Sequence, residues 1–342
     1  MVSRLGKLFA VGTMVICISV QFTSSDGSRC HLNSQANGAE NPNRAVVDDS
    51  QISTEKWNWI KLQPKDRKLG LIDRKLDRTA IRVIAGISDL QYLALPGCGV
   101  IDEDLAQICA MPNLAVLDLS RNDITDKGGT LLNRLPKLQF AILDRTRVGD
   151  QTMEALASRG QLTRLWLGHT QVTGESLPCL ALCRDLIELK LNGNPLRSQP
   201  WQGIVSLTSL QWLEISNTTL TAPDLEYLAP LVHLRNLSVF GCRGIADDNM
   251  ALFARFPFLE RLDVGRSSIT NNGVRTLASS KNLRSLSLIG TRVTDGVVEI
   301  VEQNNQWRYV NISHCNVSYD VLKKSKAHYR IEGTGLGPRS ER

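Results

Sequence analysis

The 342-residue sequence predicts an α/β protein built as a solenoid of stacked strand–turn–helix units. Three observations carry that prediction. One apolar pattern starts at Leu90 and starts again at Leu114, Leu138, Leu162, Leu186, Leu210, Leu234, Leu259, Leu283 and Trp307. Every step is 24 residues except that from Leu234 to Leu259, which is 25, the extra residue falling within Cys242-Arg243-Gly244-Ile245. The fourth and sixth positions of each unit are apolar, as in Leu117/Leu119, Leu165/Leu167 and Leu213/Ile215, and alternation at period two marks a strand with one buried face. Apolar pairs three apart then follow, such as Met153/Leu156, Leu177/Leu180, Leu225/Leu228 and Val274/Leu277, the spacing of a helix with one inward stripe. No single unit can bury its apolar side alone, so neighbours must stack into one core.

Along each unit the strand ends at a ninth position that reads Cys98, Asn122, Thr146, Thr170, Asn194, Thr218, Cys242, Ser267, Thr291 and Cys315. Small side chains there form a structural ladder, bonding backbone groups that the turn would otherwise orphan. An aliphatic column follows (Val100, Ile124, Val148, Val172 and onward). Then come residues suited to cap a helix: Thr125-Asp126, Gly149-Asp150, Thr221, Thr270 and Thr294-Asp295.

Read from Leu114, Leu-x-x-Leu-x-Leu-x-x-Asn-x-Ile-Thr resembles the leucine-rich repeat family, in the variety written Leu-x-x-Leu-x-Leu-x-x-Thr-x-Val-Thr-Asp with helical outer sides. The units are similar to those of ribonuclease inhibitor and of F-box-associated receptors, and that variety is abundant in bacteria. The resemblance covers roughly Leu90 to Ile331. It implies a right-handed leucine-rich-repeat solenoid, a horseshoe with a parallel inner sheet and a helical outer face. It implies no particular ligand, because the family is defined by its scaffold.

Residues 1–25 read as a secretory signal peptide: Arg4 and Lys7 precede an apolar run from Leu8 to Val20, and Thr23 and Ser25 suit cleavage before Asp26. The run is shorter than the ~20 residues of a spanning helix. Export to a periplasm, a cell envelope or the exterior is therefore expected, with an uncleaved N-terminal membrane anchor as the alternative. Residues 26–56, rich in Ser, Asn, Asp, Gly and Gln, predict a disordered linker. Residues 57–89 regain apolar side chains, and Leu69-Gly70-Leu71 falls in phase with the strand columns, which predicts a degenerate repeat capping the core. Ten units and a closing strand near Ile331 occupy 90–331, and 332–342 read as a disordered tail. The net charge of +6 is spread along the chain, which fits a solvated surface and no nucleic-acid partner.

Of eight cysteines, Cys98, Cys242 and Cys315 belong to the ladder, and Cys109 and Cys183 fall at or near inward helical positions. Cys179 and Cys183 stand four apart, but no further ligand follows at metal-binding spacing. The five histidines (His31, His169, His233, His314, His328) meet no Ser/Cys–Asp arrangement, and the sequence has no phosphate-cradling glycine loop or nucleophile elbow. Neither catalysis, nor a metal, nor a cofactor is expected.

Positions three, five, seven and eight of each unit point away from the core. Through units three to seven they present Phe140, Ile142, Arg145, Arg164, Trp166, His169, Glu188, Lys190, Trp212, Glu214 and Phe240. Exposed aromatics beside charges are the composition of an interface centre with a polar rim. Strands about 4.8 Å apart would put Phe140, Trp166 and Trp212 in a patch roughly 15 Å across. The expected function is capture of a protein or peptide on the concave sheet. Two alternatives stay open: a substrate-recognition adaptor of an intracellular, ubiquitin-ligase-like complex, by analogy with F-box repeat proteins, or an envelope structural or carbohydrate-binding protein using Trp166 and Trp212 as stacking platforms.

Overall fold

A computed structural model describes residues 67–197, 200–326 and 331–332. The expected signal, linker, first part of the cap (57–66) and tail beyond 332 lie outside the described residues, as do His31 and His328.

Within the described residues, twelve short strands form one parallel sheet in chain order. They are β1 (Lys68–Gly70), β2 (Tyr92–Ala94), β3 (Val116–Asp118), β4 (Phe140–Ile142), β5 (Arg164–Trp166), β6 (Glu188–Lys190), β7 (Trp212–Glu214), β8 (Asn236–Ser238), β9 (Arg261–Asp263), β10 (Ser285–Ser287), β11 (Tyr309–Asn311) and β12 (Ile331–Glu332). The sheet curves without closing, giving the horseshoe solenoid. From β1 to β11 paired residues are 24 apart, as in Phe140↔Arg164, except for 25 between β8 and β9, as in Asn236↔Arg261; the closing pair is 21 apart, as in Val310↔Ile331. The middle residue of every strand from β1 to β11 is buried, from Leu69 through Leu165 to Val310, and its neighbours face the concave side. One core runs the length of the solenoid, with Trp201 and Phe253 among its fully buried side chains.

The strands are short because the chain leaves them through a left-handed residue. In all ten units the eighth position has positive φ: Gly97, Gly193, Gly241 and Gly290, and with φ between 52 and 60° also Arg121, Arg145, His169, Asn217, Arg266 and His314. Glycine adopts that conformation freely, whereas a side chain there costs on the order of 1 kcal/mol. Some of the glycines have a second reason: a β-carbon at Gly193 would collide with the His169 imidazole of the preceding unit.

The ninth-position side chains bond backwards along the solenoid. Asn122 donates to the carbonyls of Leu95 and Leu119 and accepts from the Val100 amide. Asn194 donates to Leu167 and Leu191 and accepts from Thr170. The Cys98, Cys242 and Cys315 thiols donate to Leu71, Ile215 and Leu288. Thr146, Thr218 and Thr291 donate to their own unit's sixth-position carbonyls at Leu143, Ile215 and Leu288, and the Thr218 and Thr291 hydroxyls also meet the Cys242 and Cys315 thiols of the next unit. At Ser267 the buried hydroxyl makes no hydrogen bond among the described residues, so the ladder has a gap there.

The outer face carries α1 (Arg78–Ala85), α2 (Asp102–Ile108), α3 (Asp126–Gly129), α4 (Asp150–Ala157), α5 (Met250–Ala254), α6 (Asn271–Leu277), α7 (Gly296–Gln303) and α8 (Tyr319–Lys324). The α-helical expectation fails in the middle units. Leu177–Leu182, Pro200–Ile204 and Pro223–Leu228 are 3₁₀ helices. The buried spacing explains the difference. In α4 Met153, Leu156 and Ala157 are buried, at i, i+3 and i+4, whereas after Leu177/Leu180 and Leu225/Leu228 the next residues, Ala181 and Ala229, are exposed. A stripe at i, i+3 alone matches three residues per turn, and Pro178 and Pro223 occupy first-turn positions that need no amide donor.

The residues read as helix caps do more than cap. The Asp102 carboxylate accepts from the amide and hydroxyl of Thr125 in the next unit. Asp126 does the same for Gly149 and Thr152, Asp150 for Thr173 and Ser176, Asp247 for Thr270, and Asp295 for Ser318. This convex carboxylate ladder is interrupted where the same column holds Gly174, Ser198 and Ala222, and at Asn271 an amide oxygen takes the carboxylate's place, accepting from the Thr294 amide.

Candidate functional site

Strands β4 to β7 bring the aromatic and charged residues of the concave face into one connected cluster. Lys190, at the end of β6, lays its ammonium 3.6 Å from the ring centre of Trp166 and 4.7 Å from that of Trp212. The same nitrogen is 3.8 Å from Glu188 and 3.6 Å from Glu214. The Trp166 indole N–H donates to Glu188 at 2.9 Å, and Arg164 approaches the other oxygen of that carboxylate at 3.5 Å. Phe140 meets Trp166 edge-on with centroids 5.2 Å apart, and the Arg164 guanidinium lies 5.6 Å from the Phe140 ring centre.

The parallel register causes this. Trp166, Lys190 and Glu214 occupy the fifth position of three consecutive strands, and Glu188 and Trp212 the third position of the last two. A cation therefore sits between two aromatic faces and two carboxylates, an arrangement in which charge–quadrupole and Coulomb attraction act together. The Lys190 side chain is 12% exposed, Glu188 10% and Glu214 28%. The aromatics that sequence alone reads as exposed are half-buried, and Glu188 is buried.

Burial is the main force on the acids here. It pushes the Glu188 carboxyl up, against the pull of Lys190, Arg164 and the Trp166 indole. Asp144, at the seventh position after β4, accepts from the Gly168 amide at 2.6 Å. Burial pushes Asp144 up to about 6; Gly168 and Lys190 pull it down, while Glu214 and Asp118 push it further up. Asp118 and Asp263 are raised by burial as well.

The remaining residues of the expected surface lie apart from this cluster. Arg145 and His169 are exposed at left-handed eighth positions on the edge of the face. Phe240 belongs to a second, smaller contact, with the Arg266 guanidinium 5.2 Å from its ring centre. Ile142 is buried. Asp144, Asp118 and Asp263 are the site residues that the reading for aromatics passes over, although the same columns contain them.

Among the described residues no group of His, Cys, Asp and Glu could hold a metal ion. Cys98, Cys109, Cys179, Cys183, Cys242 and Cys315 are free thiols, and burial pushes Cys109 up to about 12, which keeps it protonated.

Comparison with known proteins places this geometry. A family model described as a leucine rich repeat matches residues 110–132. The NLR family CARD domain-containing protein 4 of Xenopus tropicalis is 27% identical across 59% of this chain, and the match covers 23% of that protein's length. An internalin from Listeria monocytogenes (inlF) superposes with a TM-score of 0.50 at 20% identity, covering 78% of this chain and 84% of its own. A chain from the yeast Rad7 and Elc1 complex superposes with a TM-score of 0.52 at 16% identity, covering 83% and 88%. At these identities the two structures show the fold alone.

Proposed function

This chain is a leucine-rich repeat protein, and on that premise we propose that it is a non-catalytic scaffold that captures a protein or peptide on its concave sheet. The observation that carries the reading is the half-buried strip of Phe140, Trp166 and Trp212, in which Trp166 is fixed by its bond to Glu188 and its edge-on contact with Phe140. Aromatics fixed before binding give contact area at little further entropic cost, which is how interface hot spots work.

The test is partner capture by Trp166→Ala/Trp212→Ala in a pull-down from the source cell. Loss of two such anchors weakens binding by about 100-fold or more, which abolishes capture. Capture that survives the double change in a still-folded chain rules out this face.

A second reading, an adaptor that recognises substrates within an intracellular complex, draws on the likeness to a chain solved in the Rad7–Elc1 complex. The two readings part over location. The basic and apolar character of the first 25 residues supports export. Cell fractionation with mass spectrometry of the mature N-terminus separates them: a chain starting near Asp26 supports the exported scaffold, and an intact cytosolic Met1 supports the adaptor. The carbohydrate alternative uses the same two indole rings, Trp166 and Trp212, as stacking platforms, and glycan binding without a protein partner would favour it.

A further inference from the structure

We propose that the concave floor takes a basic segment of its protein ligand, docking an arginine or lysine side chain beside Lys190 against Trp166, Trp212, Glu214 and Asp144. The inference rests on the concave-face reading and adds the chemistry of the partner.

Charge distribution is the first support. The whole chain carries a net charge of +6. Its concave floor runs the other way. The third, fifth and seventh positions of the ten units hold five carboxylates (Asp118, Asp144, Glu188, Glu214, Asp263) against three cations (Arg164, Lys190, Arg261). Further cations of the same face, Arg121, Arg145 and Arg266, stand exposed at the left-handed edge positions. A basic segment is thus drawn to the floor and kept off the edge.

The state of Lys190 is the second support. Two aromatic faces and two carboxylates converge on its ammonium, so the cluster already shows, with a residue of its own, that it holds a primary amine. Lys190 and Arg164 are two cations among four acids, Glu188, Glu214, Asp144 and Asp118. Asp144 remains raised despite Lys190, by burial first and then by Glu214 and Asp118, which both act against its ionisation. A further cation arriving from the ligand relieves that crowding. Lys190 is then an internal competitor for the place the ligand prefers.

The probe is an acetylated, amidated hexalysine peptide, titrated into the full-length protein and read by tryptophan fluorescence, with hexaglutamate as the control. Hexalysine binds and hexaglutamate does not. Glu214→Gln and Asp144→Asn each weaken hexalysine binding by about tenfold, the loss expected from one partly buried charge pair. Lys190→Gln strengthens it by about tenfold. Misfolding cannot produce that gain, so the sign of the Lys190→Gln effect separates recognition from damage.

Weaker or unchanged binding in Lys190→Gln overturns the proposal, as does preferential binding of hexaglutamate or of a neutral glycan. The underlying reading fails separately. If Trp166→Ala/Trp212→Ala abolishes partner capture but Asp144, Glu214 and Lys190 substitutions leave it untouched, the concave face stands and the basic ligand falls. If the double tryptophan variant still captures its partner, the face itself is wrong.

Discussion

Burial, with Glu214 and Asp118, opposes ionisation of the Asp144 carboxyl, and the Gly168 amide and the Lys190 charge favour it. Its folded pKa of about 6 lies above the ordinary 3.8. Between those values the folded state holds a proton that the unfolded chain has released, so stability rises as pH falls from about 6 towards about 4. Above about 6 the fold carries the full cost of the charge. Asp144→Asn keeps an oxygen to accept from Gly168 and removes that charge. It should stabilise the protein by about 1–3 kcal/mol at pH 7.5, with the gain vanishing near pH 4. Thermal melts at the two pH values check this, and equal shifts at both would contradict it. The same substitution weakens the proposed cation site, so stability and binding move in opposite directions. The column that holds Asp144 is plain in the sequence. Its environment is not, because the period fixes which face a side chain leaves from and leaves open where a long one ends. Lys190 has a four-carbon stem, and only coordinates show its ammonium over Trp166 of the preceding unit as well as near Trp212 of the next.

The strand columns were legible because a period of two has a single physical solution once one face is buried, and the register of the strand pairs from β1 to β11 follows from the repeat length. The outer elements were less legible. Leu177/Leu180 and Leu225/Leu228 satisfy an α-helix and a 3₁₀ helix equally, and the deciding fact was what came one residue later, at Ala181 and Ala229. Aspartates at the helix starts were equally ambiguous between capping their own helix and binding the next unit. The two roles separate by mutation. Asp126→Ala strands the Gly149 and Thr152 amides and the Thr152 hydroxyl, all of the neighbouring unit and partly buried, and should cost about 2–3 kcal/mol. Asp224 bonds only Thr221 of its own unit, at an exposed site, so Asp224→Ala should cost less than about 1 kcal/mol. Urea denaturation of the two variants checks the difference; equal losses would mean that the inter-unit bonds add nothing.

A solenoid holds together through contacts between neighbouring units, so its stability varies along its length with the quality of each junction. Aspartate carboxylates join units one to four, seven to eight and nine to ten on the convex side, and the Asn271 amide joins eight to nine; the column holds no such acceptor at Gly174 and Ala222 and no acid at Ser198. The outer elements beside Gly174 and Ala222 are also short 3₁₀ helices of six residues. Native-state hydrogen exchange should therefore reach the amides of residues 174–182 and 222–229 about tenfold sooner, or more, than those of α3, α4 and α6. Uniform protection along the outer face would show that the ladder does not set local stability.

Where the convex ladder lapses, the Trp166–Lys190–Trp212 cluster ties units four, five and six together from the inside. Mechanically, the molecule is a spring whose middle coils are fastened by a clasp on the inner curve and left slack on the outer. A load that widens the horseshoe pulls on the clasp first, whereas one that tightens it meets little resistance.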